Sequence, residues 1–264
     1  MDLTLCLVQP NLVWESPDEN LVLLEEMLAA DKNACDIILL PEMFSTGFSM
    51  NAALLAEEAG GRTMRWMEKL ANTTNAWVLG SYIIRENNQF FNRMVCMAPG
   101  GTYKQYDKRH LFSLAAEEKT YSPGKERIFV SVKGWKIVPL ICYDLRFPVW
   151  SRNTDDFDLL IYLANWPKRR RYAWNTLLKA RAIENQSFVA GVNRVGYDGN
   201  RVEHSGDSCV LNPLGKTLSK LSNKSGVIYA ELSKVALNKT RSKFTFLNDR
   251  DDFKINVKLN SSEK

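Results

Sequence analysis

The feature that most constrains the fold is a set of short apolar runs without polar alternation. Three of them are DIILLPE (36–42), WKIVPLIC (135–142) and DLLIYLAN (158–165). Unbroken runs of this length are typical of strands that are covered on both faces, as in a parallel sheet between other layers. The sequence therefore predicts an α/β protein rather than an antiparallel sheet with one face in water.

Helical segments separate the early strands in each half of the chain, and further strand-like runs follow them. Each half therefore has the order β-α-β-α-β-β-β. Because a helix between two strands allows them to pair in parallel, we expect two mixed sheets packed together with helices outside, a four-layer α-β-β-α sandwich. The expected strands are LTLCLVQP, DIILLPE, WVLGSYII, FFNRMVCMA and TYKQYDK in the first half, and WKIVPLIC, DLLIYLAN, SFVAGVNRV, DSCVLNP and GVIYAEL in the second.

The domain boundaries follow from the same pattern. We expect one domain over residues 1–253 and a loose polar tail over residues 254–264, which ends in LNSSEK. Near the N-terminus, Ser16 and Glu19 have the spacing of a capping box, with a proline at the first helical position. This signature predicts a helix that continues through LVLLEEMLAA.

Composition limits the function classes. The chain has 264 residues, 45% of them hydrophobic, and a net charge of +5, which suits a self-supporting globular protein. The acidic residues are spread along the chain, and the single basic cluster is KRRR at residues 168–171. A solvated helix start is the commonest role of such a cluster, and a wall that attracts an acidic substrate is an alternative. We therefore expect no nucleic-acid partner.

Cysteine usage and the N-terminus indicate the compartment. Five cysteines without a CxxC pair, together with only two histidines, fit free thiols in a reducing compartment and offer no zinc-ligand spacing. The N-terminal residues lack a basic n-region, and no apolar run approaches the roughly 20 residues that cross a bilayer. We expect a cytoplasmic protein that binds no metal and no membrane.

Three reactive side chains stand at the ends of predicted strands. Glu42 ends DIILLPE, Lys108 follows TYKQYD, and Cys142 ends WKIVPLIC. A thiol with a pKa of about 8.5 needs a base or a cation to become a nucleophile, and a carboxylate and an ammonium can supply both. Taken singly, each residue has a structural explanation, because cysteines usually pack and charged residues usually face solvent. His110 and His204 are poorly placed to act as the base.

The local motifs around these residues favour catalysis. LPEMFSTGF around Glu42, YDKRHLF around Lys108 and ICYDLRFP around Cys142 resemble the signatures of the nitrilase superfamily, the carbon–nitrogen hydrolases. EEKTYSPG (117–124) and RAIENQSFVAGVNRVG (181–196) resemble further segments of that family. The resemblance implies an α-β-β-α sandwich, a Glu-Lys-Cys triad that needs no cofactor and no metal, and a homodimer whose sandwiches continue across the interface.

Carried over position by position, the resemblance implies a role for each residue. Glu42 would be the general base, Lys108 the electrophilic stabiliser and Cys142 the nucleophile. Glu117 would help to position the lysine and the substrate, and the backbone N–H of Tyr143 would be the second oxyanion donor. CYDLRFPVWSRN and YDKRHLF are most similar to the ω-amidase branch, which hydrolyses the terminal amide of 2-oxo acids such as 2-oxoglutaramate and 2-oxosuccinamate.

Other functions stay open at this point. A nitrilase, an N-carbamoyl hydrolase and a deaminated-glutathione amidase are alternatives within the superfamily, and nitrile hydrolysis is disfavoured because most branches act on amides. A non-catalytic scaffold is the alternative from another class, and the intact set of three reactive residues argues against it. The sequence thus predicts a small-molecule amide as the partner of the site.

Candidates for binding the substrate follow from its expected negative charge. Arg146, Lys168 and Arg169 are the nearest basic residues, although a structural salt bridge is an equal alternative for Arg146. Trp166 and Phe44 are candidates for the pocket wall, and the ring of Tyr143 carries the same ambiguity, because aromatic residues most often pack in the core.

Overall fold

The computed structural model describes residues 1–30 and 33–255, which form two β-sheets. The strands in this part of the chain are β1 (Leu3–Gln9), β2 (Ile37–Leu39), β3 (Trp77–Glu86), β4 (Gln89–Met97), β5 (Tyr103–Asp107), β6 (Val130–Val132), β7 (Trp135–Ile141), β8 (Leu159–Leu163), β9 (Phe188–Val192), β10 (Val195–Tyr197), β11 (Glu203–Leu211), β12 (Thr217–Ser222) and β13 (Gly226–Leu232). The first sheet has the order β13-β1-β2-β3-β4-β5, and the second has the order β10-β11-β9-β8-β7-β6, with β12 beside β11.

Parallel pairing is confined to the middle of each sheet. Strands β1, β2 and β3 pair in parallel in the first sheet, and β7, β8 and β9 do so in the second. The flanking pairs, such as β3–β4 and β6–β7, are antiparallel. Both sheets are therefore mixed, as the helices between the early strands predicted. The unbroken apolar runs 37–39, 137–141 and 159–163 form central parallel strands.

The described part of the chain contains five α-helices. They are α1 (Pro17–Ala29), α2 (Ala52–Leu55), α3 (Arg62–Thr74), α4 (Arg171–Asn185) and α5 (Lys234–Lys243). Helices α1 and α3 pack on the first sheet, and α4 packs on the second. On α4, Trp174 and Leu178 lie so close to β9 that a side chain at Gly191 would overlap both of them. A glycine at this position allows the helix to approach the sheet. Within the described residues, no helix is long and apolar enough to span a membrane.

Strand β1 shows how the layers stack. Leu3, Leu5 and Leu7 belong to the buried cluster that contains the central strands of the second sheet. Cys6 and Val8, which point to the opposite face, pack with buried residues of α1 and α3. Because alternate side chains of a strand face opposite sides, the first sheet lies between its helices and the second sheet. The predicted four-layer α-β-β-α sandwich is confirmed.

The last strand corrects one detail of the expected division into halves. GVIYAEL forms a strand, β13, but this strand pairs antiparallel with β1 in the first sheet, from Gly226 opposite Gln9 to Leu232 opposite Leu3. A local pattern does not encode a partner that is more than 200 residues away, so the sequence placed the strand only by chain order. Strands β6 and β12, the separate short strand β10, and helices α2 and α5 were not expected.

The expected capping box does not form at the start of α1. The Ser16 hydroxyl donates a hydrogen bond of 2.6 Å to the Glu19 carboxylate instead of accepting one from the helix backbone. The two side chains of the expected box therefore pair with each other, and neither caps the helix backbone. The proline at the first helical position is present as expected. Most of the expected tail, residues 256–264, lies outside the described residues, and the boundary at residue 253 stays a prediction.

Candidate active site

Glu42, Lys108 and Cys142 meet in one buried cluster. Glu42 lies in the turn after β2, Lys108 directly follows β5, and Cys142 directly follows β7. Their exposed fractions are 0%, 1% and 9%. The Lys108 ammonium lies 2.8 Å from Oε1 of Glu42, and the Cys142 thiol hydrogen-bonds to the same carboxylate. The fold therefore brings together the three residues that the sequence singled out.

Lys108 is held between two buried carboxylates. Its Nζ donates to both carboxylate oxygens of Glu117 at 3.0 and 2.8 Å as well as to Glu42. Glu117 lies in a 3₁₀ turn (Glu117–Lys119), and its Oε2 also accepts the backbone N–H of Phe112 at 2.6 Å. These contacts fix the ammonium in place; the positioning role that the resemblance implies for Glu117 stays a prediction.

Burial and charge set the protonation states. Burial alone acts to lower the pKa of Lys108, but the charges of Glu117 and Glu42 outweigh it, and the pKa is raised. Burial raises the pKa of Glu117, with Lys108 opposing the shift. Burial also raises the pKa of the Cys142 thiol well above its ordinary value, and Glu42 adds to this shift while Lys108 opposes it. The cluster therefore contains a charged lysine and a neutral thiol.

The backbone at Cys142 is strained. Cys142 has φ +42° and begins a 3₁₀ turn (Cys142–Arg146), so the chain reverses sharply at the end of a buried strand. A residue with a Cβ rarely adopts this left-handed conformation and keeps it only when the surroundings enforce it. The turn places the thiol beyond the strand end, beside Glu42.

Asp144 anchors this turn. Its buried Oδ2 accepts the backbone N–H of Ile141 at 3.0 Å and the hydroxyl of Tyr106 at 2.7 Å. Its Oδ1 accepts the backbone N–H of His110 at 3.0 Å and lies 2.8 Å from the His110 ring. One carboxylate thus ties the residue before Cys142 to the residues on either side of Lys108. The sequence did not single out Asp144, although a charged residue inside ICYDLRFP was a signal.

Two asparagines hold Glu42, and the sequence assigned a role to neither. The Asn92 amide donates to Glu42 Oε1 at 2.8 Å, and the backbone N–H of Asn165 donates to Oε2 at 2.9 Å. The Asn165 side-chain amide also donates to the carbonyl oxygen of Glu42. Asn92 interrupts the apolar run of β4, and Asn165 ends DLLIYLAN. The signal in the sequence was therefore a polar residue inside or at the end of an apolar run.

A cavity of about 590 Å³ is lined by the reactive residues. Glu42, Lys108 and Cys142 lie on its wall together with Phe48, whose ring lies 5.0 Å from the Lys108 ammonium. Trp166 lines the cavity as well, as the sequence suggested. Among the residues described by the structure, no group of three or more His, Cys, Asp or Glu side chains is arranged to hold a metal ion.

Three arginines contribute positive charge to the same cavity. Arg146 and Arg169 line it, as does Arg170, which the sequence left within a basic cluster. The Arg146 guanidinium lies 5.1 Å from the Trp166 ring, and the Arg170 guanidinium lies 5.0 Å from the Phe112 ring. In the described part of the chain none of the three forms a salt bridge. The structural salt bridge that was the alternative role for Arg146 is therefore not observed. Burial, and then the other two arginines, lower the pKa of Arg170.

Two candidates for substrate binding lie elsewhere. Phe44 is fully buried beneath α3 and contacts the rings of Trp66 and Tyr82, so its expected place in the pocket wall was wrong. Lys168 pairs with Glu203 at 2.7 Å and is not part of the cavity wall. Tyr143 lines the cavity, and its ring lies edge-on to Phe112 and Phe147.

Comparison with known proteins decides the family. The model of the carbon-nitrogen hydrolase family matches residues 4–242. The chain belongs to the carbon–nitrogen hydrolase family. This carbon–nitrogen hydrolase is 45% identical over 254 residues to omega-amidase YafV of Escherichia coli K12, which covers 96% of the chain and 98% of that protein. It is 34% identical over 237 residues to the 2-oxoglutaramate amidase of Bacillus subtilis, covering 88% and 91% of the two chains.

A solved structure agrees with the fold of this carbon–nitrogen hydrolase. It superposes with a TM-score of 0.95 on XC1258 from Xanthomonas campestris, a CN-hydrolase superfamily protein with an arsenic adduct in its active site. The two chains are 41% identical, and the alignment covers 97% of this chain and 100% of the other.

Proposed function

We propose that this carbon–nitrogen hydrolase is an ω-amidase, which hydrolyses the terminal amide of small 2-oxo dicarboxylic acid monoamides such as 2-oxoglutaramate and 2-oxosuccinamate. The observation that carries the proposal is one cavity that combines a buried thiol–carboxylate–ammonium cluster with three arginines that lack a carboxylate partner among the described residues. The similarity to omega-amidase YafV supports the same conclusion. The products are the dicarboxylic acid and ammonia.

The proposed acylation starts from the neutral thiol. Glu42 accepts the proton of Cys142 as the sulfur attacks the amide carbonyl and a C–S bond forms. Lys108 and the backbone N–H of Tyr143 stabilise the oxyanion, and removing one such donor typically costs a factor of about 100 to 1,000 in rate. Glu42 then returns the proton to the nitrogen, the C–N bond breaks, and ammonia leaves a thioester on Cys142.

The proposed deacylation uses the same glutamate. Water takes the place of ammonia, and Glu42 accepts one of its protons as the oxygen attacks the thioester carbon. The C–S bond breaks and the proton returns to the Cys142 sulfur, which releases the acid and restores the starting state. Glu117 keeps Lys108 in position through both steps.

The arginines supply the proposed site for the substrate carboxylate. A 2-oxo dicarboxylic acid monoamide carries one carboxylate, and a guanidinium without a partner is a strong donor for it. Arg146 lies over the Trp166 ring and Arg170 over the Phe112 ring, contacts that leave the guanidinium charge unneutralised, and Arg169 lines the same cavity. This arrangement favours acidic amides over neutral ones.

Ammonia release tests the proposal. Purified protein should release ammonia from 2-oxoglutaramate, Cys142→Ala should abolish the release, and Cys209→Ala, a buried cysteine of β11 away from the cavity, should retain it. Mass spectrometry of wild-type protein quenched in acid during turnover should detect a thioester on Cys142. Full activity of Cys142→Ala, or a label on another cysteine, would contradict the assignment.

A substrate panel separates the alternatives. It contains 2-oxoglutaramate, deaminated glutathione, an N-carbamoyl amino acid and a nitrile of similar length. Preference for one of the last three would replace the ω-amidase proposal by that activity, and no turnover across the panel would favour a scaffold protein.

We also propose a cytoplasmic homodimer. The support is a set of exposed apolar side chains on and beside α4, namely Tyr172, Ile183 and Leu214, and five cysteines of which none forms a disulfide. Sedimentation equilibrium of the purified protein tests the dimer, and a monomer at micromolar concentration would contradict it. Cell fractionation tests the compartment.

A further inference from the structure

The two oxygens of Glu42 have different partners. Oε1 accepts hydrogen bonds from Lys108 and Asn92, both at 2.8 Å. Oε2 accepts the backbone N–H of Asn165 at 2.9 Å. Because Lys108 stabilises the oxyanion in the proposed reaction, the carbonyl oxygen of the substrate belongs on the Oε1 side. The amide nitrogen, which takes its proton from Glu42, then belongs on the side of Oε2 and Asn165.

Asn165 has an unused acceptor at this place. The residue is 6% exposed and lines the cavity, and its side-chain amide is fixed by donation to the Glu42 carbonyl oxygen. Its Oδ1 is buried and accepts no hydrogen bond from the described residues. A buried carbonyl oxygen without a donor is unfavourable, and such groups in folded proteins are usually satisfied by water or by a ligand.

We propose that Oδ1 of Asn165 accepts a hydrogen bond from the amide nitrogen of the substrate and holds this nitrogen beside Glu42 while it leaves as ammonia. The inference rests on the proposed amide hydrolysis and adds a residue to it. A carboxamide oxygen suits this role because it accepts from an N–H group in both the amide and the departing ammonia. It adds no charge next to Glu42, whereas a carboxylate there would repel it.

An ester without N–H groups distinguishes this role from support of Glu42. The assay measures kcat/KM for the best amide substrate of the panel and for the methyl ester of the same acid. Both form the same thioester, so their kcat/KM values differ only in the attack on the carbonyl and the departure of the leaving group. Loss of the Asn165 side chain should affect the amide more, because only the amide has an N–H to donate.

The expected result for Asn165→Ala is a fall in the amide-to-ester ratio of kcat/KM by roughly 10- to 100-fold, the range for a hydrogen bond to a group that gains positive charge. Asn92→Ala is the matched control, because it removes a hydrogen bond to the other oxygen of Glu42 and should lower both rates together. Thermal unfolding checks that each variant is folded, and Asn165→Ser gives the same readout if the alanine variant does not fold.

The outcomes are separable. A ratio for the Asn165 variants that stays within threefold of the wild-type ratio overturns the role of Asn165, whatever the absolute rates. Poor turnover of 2-oxoglutaramate with good turnover of another amide overturns only the ω-amidase assignment, and the same ratio is then measured with that amide. No turnover of any amide by the wild-type protein overturns both proposals.

Discussion

Replacing Asp144 by asparagine should damage stability and catalysis together. The side chain is fully buried, and its carboxylate accepts hydrogen bonds from the backbone N–H groups of Ile141 and His110, one on each oxygen. An asparagine has one oxygen and one NH₂ group. Whichever way its amide turns, the NH₂ group therefore faces one of the two N–H donors.

The magnitude follows from these contacts. At least one backbone N–H loses its acceptor in a buried place, which costs about 1–3 kcal/mol, and the remaining bonds lose the assistance of the negative charge. The Tyr106 hydroxyl and the His110 ring can reorient, so they soften the loss. We expect a decrease of about 3 kcal/mol in the free energy of unfolding. Because Ile141 precedes the strained Cys142, a displacement of the thiol by about 1 Å should also lower kcat by about 100-fold.

Urea unfolding monitored by tryptophan fluorescence measures the loss of stability, and ammonia release measures the loss of kcat. Asp156→Asn is the control, because this exposed carboxylate pairs with Arg250 at the surface and should contribute less than about 1 kcal/mol. An Asp144→Asn protein whose unfolding midpoint and kcat both match those of the control would refute the anchoring role. A large loss of stability with unchanged kcat would refute the link between Asp144 and the thiol.

Three further predictions test other parts of the structure. Gly80→Ala places a Cβ 2.6 Å from the Phe44 ring, which should cost about 1–3 kcal/mol of unfolding free energy, and a double-mutant cycle with Phe44→Leu should recover part of it. Burial, followed by the charge of Arg194, lowers the pKa of His204 from 6.5 to about 4, so the unfolded chain binds a proton between these pH values that the folded protein does not. The contribution of neutral His204 to the free energy of unfolding is therefore fully present above about pH 6.5 and falls by about 3 kcal/mol as the pH approaches 4. Urea titrations over this pH range should show a smaller fall for His204→Gln. Arg170→Ala should raise KM for 2-oxoglutaramate by about 10- to 100-fold with little change in kcat, and an equal effect on a neutral amide would contradict its role in binding the carboxylate.

The sequence was most informative where function depends on the end of a strand. Glu42, Lys108 and Cys142 each follow a strand directly or within three residues, and side chains at such positions gather at one edge of a sheet. Local patterns also predicted the central parallel strands, because burial on both faces leaves an unbroken apolar run. The pairing of β13 with β1 could not be read in this way, since neither strand carries a mark of its distant partner.

Phe44 and Phe48 show a limit of prediction from the sequence, because Phe44 was the expected residue of the pocket wall and Phe48 is the one that lines the cavity. Both follow the same strand, but Met43 has φ +43°, which turns the chain so that Phe44 enters the core under α3. The ring occupies the space that Gly80 leaves open in β3. Phe48, four residues later, lies against Lys108 in the cavity instead. The local conformation of this turn thus accompanies the different placement of the two rings, and the residue types alone do not specify it.

In the proposed mechanism, the charge balance of the cluster explains why no histidine is needed. Glu42 and Glu117 face one buried ammonium, that of Lys108, so a permanent thiolate would add a further negative charge to a buried cluster. Burying such an uncompensated charge is costly, which agrees with the raised pKa of Cys142. Transfer of the proton from Cys142 to Glu42 moves the negative charge without adding to it. In the proposed mechanism the thiolate therefore forms as Glu42 takes the proton, and this step becomes favourable when a substrate carbonyl carbon lies within reach of the sulfur and Lys108 can stabilise the carbonyl oxygen.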